Sequence, residues 1–188
     1  MRIFAYRCLA SIGLLPAVSP AATSGPQQAL DRQRNFNASE LVYRPWRAGD
    51  MIDHQLLKIY GHDHVFVAID PKAEYDTAVA GYVVWRTTEA VPACVLSKIN
   101  KLREDPVVAF IASVKVVPSW QNKRVGSAML PRALANIREE SPDAVAVFLT
   151  VGTSNEPAIK LYEKSNFTSV FRKSEDASWA AMGTPGLA

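Results

Sequence analysis

Residues 114–130 read Val-Lys-Val-Val-Pro-Ser-Trp-Gln-Asn-Lys-Arg-Val-Gly-Ser-Ala-Met-Leu. A β-branched run stops at Pro118, a polar basic loop follows, and an apolar helical pattern begins at once, which is the order strand, turn, helix. The first turn of a helix presents unpaired backbone N–H groups and a partial positive charge, so it is a natural seat for phosphate. Lys123 and Arg124 bring full positive charge to the same place. The loop reads as a pyrophosphate cradle at the end of a strand.

The segments on either side extend that pattern. Val107 to Val117 is a long strand, and Val125 to Glu140 is a helix with Ala128, Met129, Leu130, Leu134 and Ile137 as its apolar positions. Pro131 lies inside that helix and is expected to bend it or remove a bond. Ala144 to Val151 is an almost continuous apolar strand, as expected when both faces are covered. Asn155 to Asn166 reads as a short helix with Asn155 as N-cap and Pro157 in the first turn. Phe167 to Phe171 and Ser178 to Met182 can close the fold as an antiparallel pair.

Upstream, Leu41 to Arg44 is a short strand ended by Pro45. Asp50 reads as the N-cap of a helix carrying Met51, Ile52, Leu56, Leu57 and Ile59, closed by Gly61. His64 to Asp70 and Ala78 to Arg86 form a hairpin across the polar turn Pro71 to Thr77. Residues 87–106 are mixed, with a short helix around Leu96 to Leu102. The order is β-α-β-β, then β-α-β-α-β-β. It implies an α/β (α+β) fold: a mixed sheet with helices on both faces.

Composition excludes several classes. The 188 residues are enough for one domain with a real core. No apolar run reaches the ~18–20 residues that span a bilayer. Of the 21 basic and 18 acidic side chains, Arg2, Arg7, Arg32, Arg34 and Asp31 lie in residues 1–38, so the remainder holds 17 of each. A neutral folded part is not a nucleic-acid binder by charge. Cys8 and Cys94 make neither a disulfide framework nor a metal spacing. His62 and His64 share one face of a strand, but no third ligand completes a zinc site.

Two segments in order carry a resemblance. Gln121-Asn-Lys-Arg-Val-Gly126 is similar to the acyl-CoA loop of the GNAT acetyltransferase superfamily, in which Gln or Arg is followed by x-x-Gly-x-Gly or Ala. Asn155, Ala158, Leu161, Tyr162 and Phe167 match that family's Asn-x-x-Ala-x-x-Leu-Tyr-x-x-x-Gly-Phe. The resemblance covers about residues 40–183 and implies a mixed, mostly antiparallel GNAT-type sheet over residues 39–183, with a tail at 184–188. Two positions depart from the pattern. Arg124 stands where the family has the first glycine of the loop, and Asn166 where it has the glycine before Phe167. Asn tolerates left-handed backbone and can end that helix; Arg cannot take positive φ cheaply.

The resemblance implies acetyl-CoA as co-substrate and an amine of a small molecule or peptide as acceptor. The backbone of Val114, Lys115 and Val116 would pair with the pantetheine arm. Backbone N–H groups of Gln121, Asn122, Lys123, Arg124, Val125, Gly126 and Ser127 would hold the pyrophosphate. Asn155 would bond the pantetheine region, and Tyr162 would protonate the departing thiolate, a task that suits a neutral phenol. The strand before the loop offers no acid for a general base, leaving Glu104, Asp105, Asp63, His62 or His64 as candidates, or no residue at all. Trp85, Trp120, Tyr82 and Phe110 are candidates for an acceptor pocket, and equally for the core. The rival from another class is a non-catalytic acyl-CoA-binding module of the same fold.

Residues 1–38 differ from the rest. Arg2 and Arg7 precede an apolar centre and small residues, with no acid before Asp31. This suits a secretory signal or a mitochondrial presequence, or an extension from a false start. The stretch is expected to stand outside the fold. A secreted enzyme would lack acetyl-CoA, so the expected site is the cytoplasm.

Overall fold

The computed structural model describes residues 2–5, 37–52, 55–56, 61–74, 78–88, 90–99, 106–172 and 179–183. Its strands are β1 (Arg2–Ala5), β2 (Val42–Pro45), β3 (Met51–Ile52), β4 (Gln55–Leu56), β5 (His64–Ile69), β6 (Val79–Thr88), β7 (Val108–Val116), β8 (Ala146–Gly152), β9 (Thr168–Arg172) and β10 (Trp179–Gly183). The helices are α1 (Ala93–Leu96), α2 (Val125–Glu140) and α3 (Glu156–Lys164). Eight strands form one sheet in the order β2-β5-β6-β7-β8-β1-β10-β9, and β3 pairs with β4 apart from it. β7 and β1 run parallel to β8, whereas β2–β5, β5–β6, β6–β7 and β9–β10 are antiparallel.

Strand periodicity assigns the faces. In β8, Val147, Leu149 and Val151 belong to the larger core with α2 and α3, while Ala146 and Phe148 turn to the smaller core with Val95 and Ile99. In β7, Ala109 and Ile111 face the larger core and Val108 and Phe110 the smaller. Strict alternation would send Ser113 to the larger core. Instead the β6–β7 register shifts there, from Trp85↔Ile111 to Val84↔Ser113, leaving Ala112 without an opposite residue. This bulge flips the parity, so Val114 and Val116 pack against the larger core.

α2 buries Val125, Met129, Leu130, Ala133, Leu134, Asn136 and Ile137 on the sheet. It runs unbroken through Pro131, whose missing N–H removes one bond to the preceding turn. The Arg132 guanidinium bonds the Ala128 carbonyl at 2.6 Å and lies 4.7 Å from the centre of the Tyr43 ring. Gly81 is required where β6 meets β7, because a Cβ there would stand 2.8 Å from the Lys115 carbonyl oxygen.

Two expectations are corrected. The helix from Asp50 to Gly61 is not formed over its described part, where Met51 and Ile52 pair with Leu56 and Gln55. Asp50 does not cap a helix because its carboxylate is taken by Arg44, with Nη1–Oδ2 at 2.7 Å and Nη2–Oδ1 at 2.8 Å, and by the Arg47 N–H at 2.8 Å. The Arg44 bond is the main reason its carboxyl titrates below the usual range. The second correction concerns residues 1–38. Arg2–Ala5 forms a strand wedged between β8 and β10, with Arg2 opposite Ala146 and Ala5 opposite Leu149 and Met182. Ile3 and Phe4 favour extended backbone, and the edge of β8 offers unpaired backbone groups to any strand that reaches it. Residues 6–36 lie outside the described residues, as do Leu57 to Tyr60 and Asn100 to Asp105.

Replacing Asp50 by Ala should lower unfolding stability by ~2–3 kcal/mol in urea melts, since a mostly buried guanidinium would lose a bidentate partner. Because the folded carboxyl is more acidic than the unfolded one, its contribution is present above about pH 4 and is lost as pH falls further. Deleting residues 1–5 should lower the melting temperature by more than about 4 °C, equivalent to ~1 kcal/mol for a domain of this size; an unchanged melt would show that β1 contributes nothing to the sheet.

Candidate active site

The site begins where two central strands part. β7 and β8 pair only from Val108↔Ala146 to Ile111↔Leu149. The Ala112 bulge follows at once in β7, and a bulge bends and twists the strand that carries it. Val114, Lys115 and Val116 continue along β6, and Thr150 to Gly152 continue β8, with no ladder between them. A fork therefore opens on the sheet, lined on the β7 side by strand backbone.

The end of β7 is tied down so that the next helix points into this fork. Val117 N–H donates to the Ala80 carbonyl at 3.0 Å. Pro118–Trp120 makes one 3-10 turn whose Trp120 ring is buried in the larger core. The Gln121 side-chain amide donates back to the Val116 carbonyl at 3.1 Å, and the Lys123 ammonium to the Ser119 carbonyl. Asn122 and Arg124 both take left-handed backbone, at φ 61° and 62°. The first helical bond runs from Ala128 N–H to the Arg124 carbonyl at 3.1 Å. The N–H groups of Val125, Gly126 and Ser127 thus precede the α2 ladder, and its first turn holds no acid. An anion fits this terminus electrostatically.

The left-handed conformation of Arg124 reverses the alternative that its loop does without positive φ. A non-glycine residue there costs ~1–2 kcal/mol. At Asn166 (φ 63°) the expectation holds: Phe167 N–H bonds the Tyr162 carbonyl at 3.0 Å across the left-handed residue, ending α3.

Gly126 joins the loop to α3. A Cβ on it would lie 3.1 Å from Leu161 Cδ2, so α2 and α3 meet closely at this point. The adjacent Tyr162 is buried in the larger core, its ring 5.7 Å from that of Phe167 at 55°. Burial pushes its phenol up to about 12, so it keeps its proton through the physiological range. Asn155 caps α3, its Oδ1 accepting from Ala158 N–H at 3.2 Å; its side-chain nitrogen makes no hydrogen bond among the described residues.

The other candidates divide. Asp63 pairs with Arg86, carboxylate to guanidinium at 3.2 Å. His64 bonds Glu140 at 2.6 Å and stacks on Trp85 at 4.2 Å. Glu140 closes the 16-residue α2, ~24 Å along the helix from Val125, so His64 stands far from the loop. His62 lies in the turn before β5, and Glu104 and Asp105 lie outside the described residues. Trp85 and Trp120 are core residues, and Phe110 packs on Phe148 at 4.9 Å in the smaller core. Tyr82 is half-buried at the edge of the larger core. The bulge at Ala112, which opens the fork, has no local marker in the sequence except the parity change from Ile111 to Val114.

Comparison with known proteins agrees with this geometry. Residues 31–167 match the model of the acetyltransferase (GNAT) family. An N-alpha-acetyltransferase of Saccharolobus solfataricus is 31% identical over 114 residues, covering 61% of this chain and 61% of that protein, so the chain spans about three fifths of that relative's length. Arabidopsis thaliana NAA60, solved with a bisubstrate analogue, superposes with a TM-score of 0.55 at 16% identity over 76% of this chain and 95% of that one. The NatC complex bound to Gag peptide and CoA gives 0.52 at 16% identity over 79% and 99%. At such identities the two structures establish likeness of fold.

The Tyr162 environment yields a titration. Its folded pKa of about 12 lies above the model value of 10.0, so the stability it confers is whole below pH ~10 and is lost as pH rises through ~12. Tyrosinate absorbance should show a late step that coincides with unfolding, and Tyr162→Phe should remove that step from the titration of the six tyrosines.

Proposed function

We propose, from the premise that this chain belongs to the acetyltransferase (GNAT) family, that it moves an acetyl group from acetyl-CoA to an amine by direct attack. The observation that carries this reading is the fork between β7 and β8 opening against the first turn of α2. The backbone of Val114 to Val116 offers an extra-strand position to the pantetheine amides. The N–H groups from Gln121 to Ser127 offer donors to the pyrophosphate, and the free side-chain nitrogen of Asn155 offers another toward the pantetheine arm. In the reaction the amine nitrogen forms a bond to the thioester carbon, the C–S bond breaks, the nitrogen loses a proton and the departing sulfur gains one. Tyr162 is the donor to sulfur: it is protonated at neutral pH and buries no charge before the reaction.

The acceptor we favour is the α-amine of a peptide chain, supported by the name of the 31% identical relative. An α-amine has a pKa near ~7.7–8.0, so a useful fraction is already free base at neutral pH. That lightens the task of a site whose fork strands carry no carboxylate among the described residues. We place the reaction in the cytoplasm, where its donor is available.

Incubating the full chain with acetyl-CoA and a panel of peptides and small amines, with release of free CoA as readout, tests the reading. Turnover with α-amine peptides is expected; absence of both turnover and calorimetric binding at millimolar acetyl-CoA would overturn it. Tyr162→Phe should cut kcat and kcat/KM by a similar ~10–100-fold and leave the Kd for acetyl-CoA within about twofold. Equal rates for the two proteins would take Tyr162 out of the mechanism.

A further inference from the structure

The two cations of the loop have different situations. Lys123 turns back to the Ser119 carbonyl and braces the 3-10 turn. Arg124 makes no hydrogen bond or ion pair among the described residues, and its side chain is exposed. Its backbone sits at φ 62°, ψ 14°, as the N-cap of α2 with no side-chain capping bond. Every local consideration opposes an arginine there. Glycine would take the left-handed conformation without strain, a Ser, Thr, Asp or Asn side chain would cap the first N–H groups, and a cation at a helix N-terminus meets the positive end of the dipole. No acid of the first turn offsets that charge.

We infer that Arg124 is a ligand-binding residue whose guanidinium pairs with phosphate oxygens of the CoA moiety, and that the loop accepts a strained, electrostatically unfavourable residue in the free protein in return for affinity in the complex. The inference rests on the acetyl-CoA reading above. Phosphate chemistry is indicated because guanidinium matches it with two parallel N–H donors, and because the adjoining Val125, Gly126 and Ser127 N–H groups present donors to the same kind of anion. Two phosphate sources are available on one ligand, the pyrophosphate and the 3′-phosphate of the ribose.

The inference makes an inverse prediction for one substitution. Arg124→Gly should raise the melting temperature of the free chain, by removing strain and charge repulsion, yet weaken acetyl-CoA about tenfold in calorimetry and flatten the dependence of Kd on salt. Arg124→Lys should keep part of the affinity and all of the strain. Repeating the titrations with dephospho-CoA separates the sources: an undiminished loss in Arg124→Gly assigns the pyrophosphate, and a vanished loss assigns the 3′-phosphate. If the wild type binds acetyl-CoA and Arg124→Gly binds it equally well with the same salt dependence, the inference fails while the site reading stands. If the wild type binds none, both fail.

Discussion

Everything distinctive in this fold follows from a backbone ladder that stops. β7 and β8 share only the rungs from Val108↔Ala146 to Ile111↔Leu149, and a sheet interior cannot ordinarily leave strand N–H and C=O groups without partners. The antiparallel ladder to β6 holds β7 on its other edge through Val116, so the strand keeps its extended form after leaving β8. The vacated edge is then chemically active surface in the middle of a sheet. The Ala112 bulge makes the departure compatible with a packed core, because it swings Val114 and Val116 onto the face that α2 and α3 cover.

The two helices that serve the fork are held by different means. α2 is anchored along its length by Met129, Leu130, Ala133 and Ile137, all without measurable exposure, so its N-terminus is fixed by hydrophobic packing and not by a cap. α3 is short and caps itself with Asn155 at one end and the left-handed Asn166 at the other. A nine-residue helix is marginal alone, and what orients it is the contact of Leu161 with Gly126 and the burial of Tyr162 beside Phe167. The donor to sulfur is therefore positioned by packing, in a dry environment that also keeps it protonated.

Much of this could be read from residues alone. The strand–loop–helix at 107–140 and the strand–helix at 146–164 have strong periodicity and local stop signals, and the structure follows them closely. What could not be read depends on partners distant in sequence or on competition between local roles. Asp50 looks like a helix cap until Arg44, six residues away, claims its carboxylate in bidentate fashion. Arg2–Ala5 carries no strand signal of its own length and acquires one from the edges of β8 and β10. His62 and His64 share a strand-like spacing, but only the fold reveals that Glu140 and Trp85 occupy His64. Arg124 was visible as a misfit by residue type alone, whereas its left-handed backbone and unengaged side chain required coordinates.

Gly126 has a consequence for how such a chain can vary. The same Cα borders the anion-facing N–H groups and the side chain next to Tyr162, so the spacing between phosphate seat and acid is set at one atom. A drift toward alanine would widen the α2–α3 gap unless Leu161 shrank in step, and a smaller Leu161 would loosen the packing around Tyr162. The two halves of the site are thus free to change their chemistry, at Asn122 or Lys123 for instance, but not their separation, and heritable variation in this region should appear as coupled pairs rather than single exchanges.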